Sequence, residues 1–132
     1  MERSRRQRRL ARGERGSSSV EMVIALPLVL TVLFLAVQAG TWFYARSIAL
    51  AAAQSGARTS AMLNSSLAAG LSSARSFADD VGGSTLTGVT VSGVRSATST
   101  TVTVTGQTPR LVPFMDLAVT QSATLPVERY TR

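Results

Sequence analysis

GSSSVEMVIALPLVLTVLFLAVQAGTWFYAR, residues 16–46, is the stretch that decides how this chain is built. After Glu21, the run from Met22 to Phe43 holds 22 residues and no charge. Its polar members are Thr31, Gln38 and Thr41, with Gly40 among them. At ~1.5 Å per residue a helix of this length covers the ~30 Å hydrocarbon core of a bilayer. Pro27 falls near the start of such a helix, where fewer backbone donors have helical partners and a proline is tolerated. Trp42 and Tyr44 stand at the far end, where amphipathic aromatics favour the interface, and Arg46 closes the span. The stretch reads as one transmembrane helix.

Charge gives that helix a direction. The net charge is +7, but residues 1–16 hold seven Arg (Arg3, Arg5, Arg6, Arg8, Arg9, Arg12, Arg15) against Glu2 and Glu14, hence +5. The other seven Arg and five acids leave +2 for residues 17–132. The positive-inside rule places the basic N-terminus in the cytoplasm and the C-terminus outside, in a single-pass membrane protein. A nucleic-acid-binding arm is the weaker reading, because the arm has no interleaved aromatics and abuts the apolar helix. A cleaved signal peptide is weaker too. Ala49-Leu50-Ala51 and Ala51-Ala52-Ala53 fit an A-x-A site, but the apolar stretch exceeds the usual 7–15 residues. Ser4-Arg5-Arg6 begins like a twin-arginine leader, yet Arg8 and Arg9 stand where hydrophobic residues belong.

The chain of 132 residues has no Cys and no His. Disulfides, thiolate chemistry and Cys-ligated metals are thereby excluded, and the commonest general base and metal ligand is missing. No P-loop and no nucleophile elbow is present. Asp79-Asp80 reads as a solvated helix-end feature, and Asp116 and Glu128 lack an obvious partner. We expect no enzyme, no catalytic or metal-binding residues and no cofactor. With about twenty residues given to lipid, only a small core remains to be built.

At the lip of the apolar run the chain reads Glu14-Arg15-Gly16-Ser17-Ser18-Ser19-Val20-Glu21. The plain reading of Glu21 is a carboxylate at headgroup level, hydrated there; deeper burial would cost several kcal/mol, about 2.5–3.5 at a helix centre. A more specific reading starts from a cut after Gly16. Ser17 would then carry a new α-ammonium group four residues from Glu21, on the same helix face. Glu21 would stand in the first turn, where the helix dipole favours an acid. The pair can neutralise itself or pair between neighbouring copies and so set helix register.

Gly16 and Glu21 resemble the type IV prepilin pattern, in which a peptidase cuts after Gly and an acid occupies the fifth mature position. The longer order of Gly16, Val20-Glu21, Leu26-Pro27, Trp42-Phe43-Tyr44 and Gly56-Ala57-Arg58 is similar to the TadE-like family of Flp (Tad) pilus assembly. The resemblance covers roughly residues 14–58. It departs from many Tad-type pilins at Met22, where they carry an aromatic, and from major type IV pilins at Ser17, where they carry Phe. It implies processing at Gly16 and Ser17, and an assembly role for Glu21. Its implied partners are a prepilin peptidase, other TadE-like and Flp pilins, and the Tad inner-membrane platform and ATPase. A length beyond that of the short major Flp pilins implies a minor, pseudopilin role. An uncleaved, membrane-anchored binding module is the alternative from another class, and a secreted enzyme with a mature start near residue 54 is a third.

Beyond the membrane, residues 45–81 are rich in Ala and free of Pro, and Leu63, Leu67, Leu71, Ala74, Ala78 and Val81 recur at helical spacing. Gly56, Gly70 and Asn64-Ser65-Ser66 weaken the pattern, so a break is expected near residues 64–70. The apolar stripe is read as packing against the protein's own sheet, with a partner's groove as the alternative. Gly82-Gly83 ends the helix. Three period-two runs follow: residues 86–94 with Val89 and Val91, 98–105 with Val102 and Val104, and 115–125 with Leu117, Val119, Ala123 and Leu125. Pro109 and Pro113 fall in a connection. A loose Thr/Ser-rich stalk is the alternative for this region. The expected fold is α+β, membrane-anchored and pilin-like: a long N-terminal helix followed by a small three-stranded antiparallel sheet. The expected divisions are a basic leader (1–16), the transmembrane helix (17–44), an extracytoplasmic helix (45–81) and a β-rich region (82–132).

Overall fold

The computed structural model describes residues 2–130, with side chains from residue 16 onward. The side chains of the seven Arg between residues 3 and 15 therefore lie outside the described residues. Five elements follow in order: α1 (Glu2–Ala61), α2 (Leu67–Gly82), β1 (Thr87–Arg95), β2 (Ser99–Gln107) and β3 (Ala118–Pro126). The chain divides into two compact units, residues 1–36 and residues 37–132.

The first unit holds the N-terminal part of α1. Its large apolar side chains between residues 20 and 35 are exposed, which suits a helix whose solvent is lipid. Pro27 lies inside the helix, and Thr31 Oγ1 donates to the Pro27 carbonyl at 2.7 Å. That hydroxyl is thus satisfied within its own helix. Helix α1 contains the one candidate membrane span found among the described residues.

The second unit is the α+β body expected from the sequence. Its core begins on one face of α1, where Ala45, Ile48, Ala49, Ala52, Ala53 and Ala57 recur three and four residues apart and are buried. So many alanines let other backbones come close. Ala74 and Ala78 of α2 meet them, and Val102 and Val104 of β2, Val119 of β3 and Leu86 complete the cluster. The two helices pack where Gly56 faces Gly70. A Cβ on Gly56 would stand 2.7 Å from both Ala74 Cβ and the Gly70 carbonyl oxygen, and one on Gly70 would stand 2.5 Å from Ser60 Cβ.

The sheet is an antiparallel meander in the order β1-β2-β3. Val91 pairs with Val104, and Val102 with both Gly93 and Ala123. One face, with Thr100, Val102, Val104 and Gly106 along β2, is buried. On the other face Thr101, Thr103 and Thr105 bond hydroxyl to hydroxyl with Thr124, Ser122 and Thr120. The Thr/Ser richness therefore covers the wet face of a packed sheet and does not form a loose stalk.

The break expected near residues 64–70 lies at residues 62–66, between two helices. Helix α1 ends at Ala61, and α2 starts at Leu67 after a turn in which Asn64 takes φ 59°. Ser66 caps α2, its Oγ accepting from the Ala69 amide at 3.1 Å. Asn64-Ser65-Ser66 is thus the break, whereas Gly70 is a contact residue inside α2. The buried stripe of α2 is Gly70, Ala74, Ala78 and Gly82; Val81, expected on it, is exposed. Glycine at positions 70 and 82 hid half of the stripe from a reading based on apolar side chains. Strand β3 begins at Ala118, so residues 115–117 belong to the preceding loop.

Candidate functional site

Residues 16–21 lie within the helix α1, and from Gly16 onward each is exposed. A Cβ at Gly16 would meet nothing within 4 Å, so no packing demands glycine there. Ser17 and Glu21 are one helical turn apart, the spacing that puts both on one face. The Gly16–Ser17 peptide bond sits inside the helix and not at a break.

The second cluster, Gly56-Ala57-Arg58, divides by role. Gly56 permits the close approach to α2, Ala57 is fully buried, and Arg58 is exposed. Arg58 borders two open grooves, one with Met62 and Phe77 and another with Leu125 and Glu128. Packing accounts for the Gly and the Ala; the guanidinium faces solvent.

A third feature escaped the reading of the sequence. Gln38, 1% exposed, uses its amide as a clamp on the loop between β2 and β3. Its Oε1 accepts from the Leu111 amide at 2.8 Å and the Val112 amide at 3.4 Å, and its Nε2 donates to the Pro109 carbonyl at 3.3 Å. One turn on, Trp42 Nε1 donates to the Ala118 carbonyl at 3.4 Å, and the Arg46 guanidinium lies 5.7 Å from the centre of the Trp42 ring. Gln38 and Trp42 thus dock the loop and the start of β3 onto α1. The available signal was a lone amide in an apolar run, which calls for a partner but does not say which.

The far end of α1 is held by the C-terminal segment. The Glu128 amide donates to the Ala61 carbonyl at 2.9 Å, and Glu128 Oε2 accepts from the Leu63 amide at 3.4 Å. The first satisfies a carbonyl that the C-terminus of α1 leaves open, and the second an amide of the turn that follows. Arg129 Nε donates to the Ala97 carbonyl at 2.7 Å, tying the same segment to the β1–β2 turn. Inside, Ser60 Oγ and Thr100 Oγ1 share a 2.8 Å bond in full burial, and Arg95 Nε donates to the Ser60 carbonyl at 2.8 Å. Among the described residues no group of three or more acids, His or Cys is placed to hold a metal ion.

Residues 16–58 match the family model described as TadE-like protein. The match begins at Gly16, ends at Arg58 and lies wholly on α1, so α2 and the sheet fall outside it. No curated protein matches the chain, and no solved structure matches it.

Proposed function

We propose that this chain is a TadE-like minor pilin or pseudopilin, a structural component of a Tad (Flp) pilus assembly or secretion system. The observation that carries the reading is the family match over residues 16–58, laid on a helix that holds Gly16, Glu21 and an exposed apolar span in that order. A small α+β body follows the span, as a pilin-like plan requires. In this reading the apolar helix holds the protein in the inner membrane, with the basic arm in the cytoplasm and the body outside. A prepilin peptidase removes residues 1–16. The new Ser17 ammonium group and the Glu21 carboxylate then register the helix against other TadE-like and Flp pilins. The platform and ATPase of the Tad machinery act on it from the inner membrane. Its role is structural and not enzymatic.

The test is the N-terminal residue of the membrane-bound protein, by intact mass and terminal sequencing, with the peptidase present. A start at Ser17 supports processing. An intact start moves the weight to an uncleaved, membrane-anchored binding module. One observation favours that second reading: the Gly16–Ser17 bond lies within a helix, and a peptidase needs it extended.

A further inference from the structure

The loop between β2 and β3 carries an apolar tip that nothing among the described residues covers. Residues 109–116 read PRLVPFMD. Leu111 and Met115 are exposed, and Phe114 is 100% exposed. Phe114 is also held at φ 69°, a conformation that costs a non-glycine residue about 1–2 kcal/mol. Pro113 precedes it in a turn closed by the Met115 amide on the Val112 carbonyl at 3.4 Å. A turn with Pro second and a positive φ third usually takes Gly or Asn in that third place. A phenylalanine there gains nothing from the protein's own interior.

The place where this loop is fastened says what meets it. Its backbone is bonded to Gln38, which stands five residues before Phe43, the end of the uncharged run. At ~1.5 Å per residue that is roughly 7–8 Å inside the apolar end of the helix. Trp42, an interface residue by type, binds the chain where the loop returns to β3. The loop is therefore docked at the level of the last apolar turns of α1. Irregular backbone at such depth is tolerated only where its polar groups are satisfied. Gln38 does this for three of them, at Pro109, Leu111 and Val112. The two charges of the loop neutralise each other, Arg110 Nε lying 2.6 Å from Asp116 Oδ1.

We infer that the 109–116 loop is a second membrane contact, with Leu111, Phe114 and Met115 dipping into the outer boundary between headgroups and acyl chains beside the helix. The occupant of this apolar tip is lipid. Burial of a few apolar side chains to ~5–10 Å is the depth at which interfacial segments sit. Two contacts, a span and a loop, hold the body against the bilayer and limit its rotation about α1 before any assembly. The inference rests on the membrane-anchoring part of the proposed function and not on the pilus part.

The chain has no Cys, so single cysteines can be placed and spin-labelled. Labels go on the full-length protein as Phe114→Cys and, separately, Leu111→Cys. Val29→Cys in the apolar run and Ser122→Cys on the wet face of the sheet serve as references. Each protein is reconstituted, dilute, in vesicles of phosphatidylethanolamine and phosphatidylglycerol. Relaxation by oxygen, which enters lipid, is compared with relaxation by a nickel chelate, which does not. The expected result is that labels at 114 and 111 favour oxygen, as at 29, while 122 favours nickel. If 114 and 111 behave like 122 while 29 stays lipid-like, the loop does not enter the bilayer and the inference is overturned. Shielding of both labels from both reagents would show a protein partner on the loop and overturn it as well. If 29 itself relaxes with nickel, the span reading fails, and with it the premise of this one.

Discussion

The Leu111 amide donates a 2.8 Å hydrogen bond to Gln38 Oε1 across 73 positions of sequence, joining the loop before β3 to the last apolar turns of α1. Gln38 is buried because the loop covers it, and the loop keeps its shape because Gln38 binds it at three backbone groups. Gln38 thus holds the middle of the loop, while Trp42 fastens its return to β3.

Replacing Gln38 with Leu removes that clamp and leaves the Pro109 carbonyl and the Leu111 and Val112 amides without their partner. Each buried group left unsatisfied costs about 1–3 kcal/mol, so the loop releases before it accepts that cost. We expect tryptic cleavage after Arg110 to become faster in Gln38→Leu, with the far-ultraviolet circular dichroism unchanged. Equal cleavage in parent and variant would refute the clamp.

The glycines of the helix pair are steric requirements. A Cβ at Gly70 would press on the Gly56 carbonyl oxygen at 2.6 Å, and the backbone cannot turn aside as a long side chain can. Gly70→Ala and Gly56→Ala are each expected to destabilise the body by about 1–3 kcal/mol, the range for overpacking. Gly40→Ala, with nothing within 4 Å of its Cβ, should be neutral or slightly stabilising. Thermal unfolding of the three variants in detergent decides the matter, and an equal melting temperature for all three sinks the steric argument.

Ser60 and Thr100 form the buried hydroxyl pair between α1 and β2. Thr100→Val leaves the Ser60 hydroxyl with one partner fewer, at a cost of about 1–2 kcal/mol. Adding Ser60→Ala should then cost less than it does alone, since the group it removes has already lost its bond. A double-mutant cycle by denaturant unfolding measures this coupling; strict additivity would mean the bond contributes nothing.

Glu21 is exposed on α1 one turn from Ser17, outside the packed body. Its substitution is therefore not expected to alter folding. In the proposed function, Glu21→Ala is processed after Gly16 as the parent is, yet fails to enter the assembly. Sedimentation of assembled material, with mature mass as the control, separates the two steps. Normal assembly of Glu21→Ala would overturn the assembly role of Glu21.

By itself the sequence determined the parts of this protein whose causes are local. An uncharged run long enough for a bilayer, the Arg-rich arm before it and the alternating Val of 102 and 104 each follow from hydropathy and spacing over a few residues. The motif order from Gly16 to Arg58 was legible for the same reason, and the family match falls on it. Boundaries moved where local signals compete: Asn64-Ser65-Ser66 broke the helix, while Gly70, an apparent weakness, proved to be a contact. Only the tertiary structure decided what the small and polar residues are for. Gly56 needs to be glycine because α2 crosses it, and Gln38 is tolerable in an apolar helix because a loop from far along the chain satisfies it. Neither fact has a sequence signature, because a missing Cβ and a lone amide state a requirement without naming the backbone that meets it.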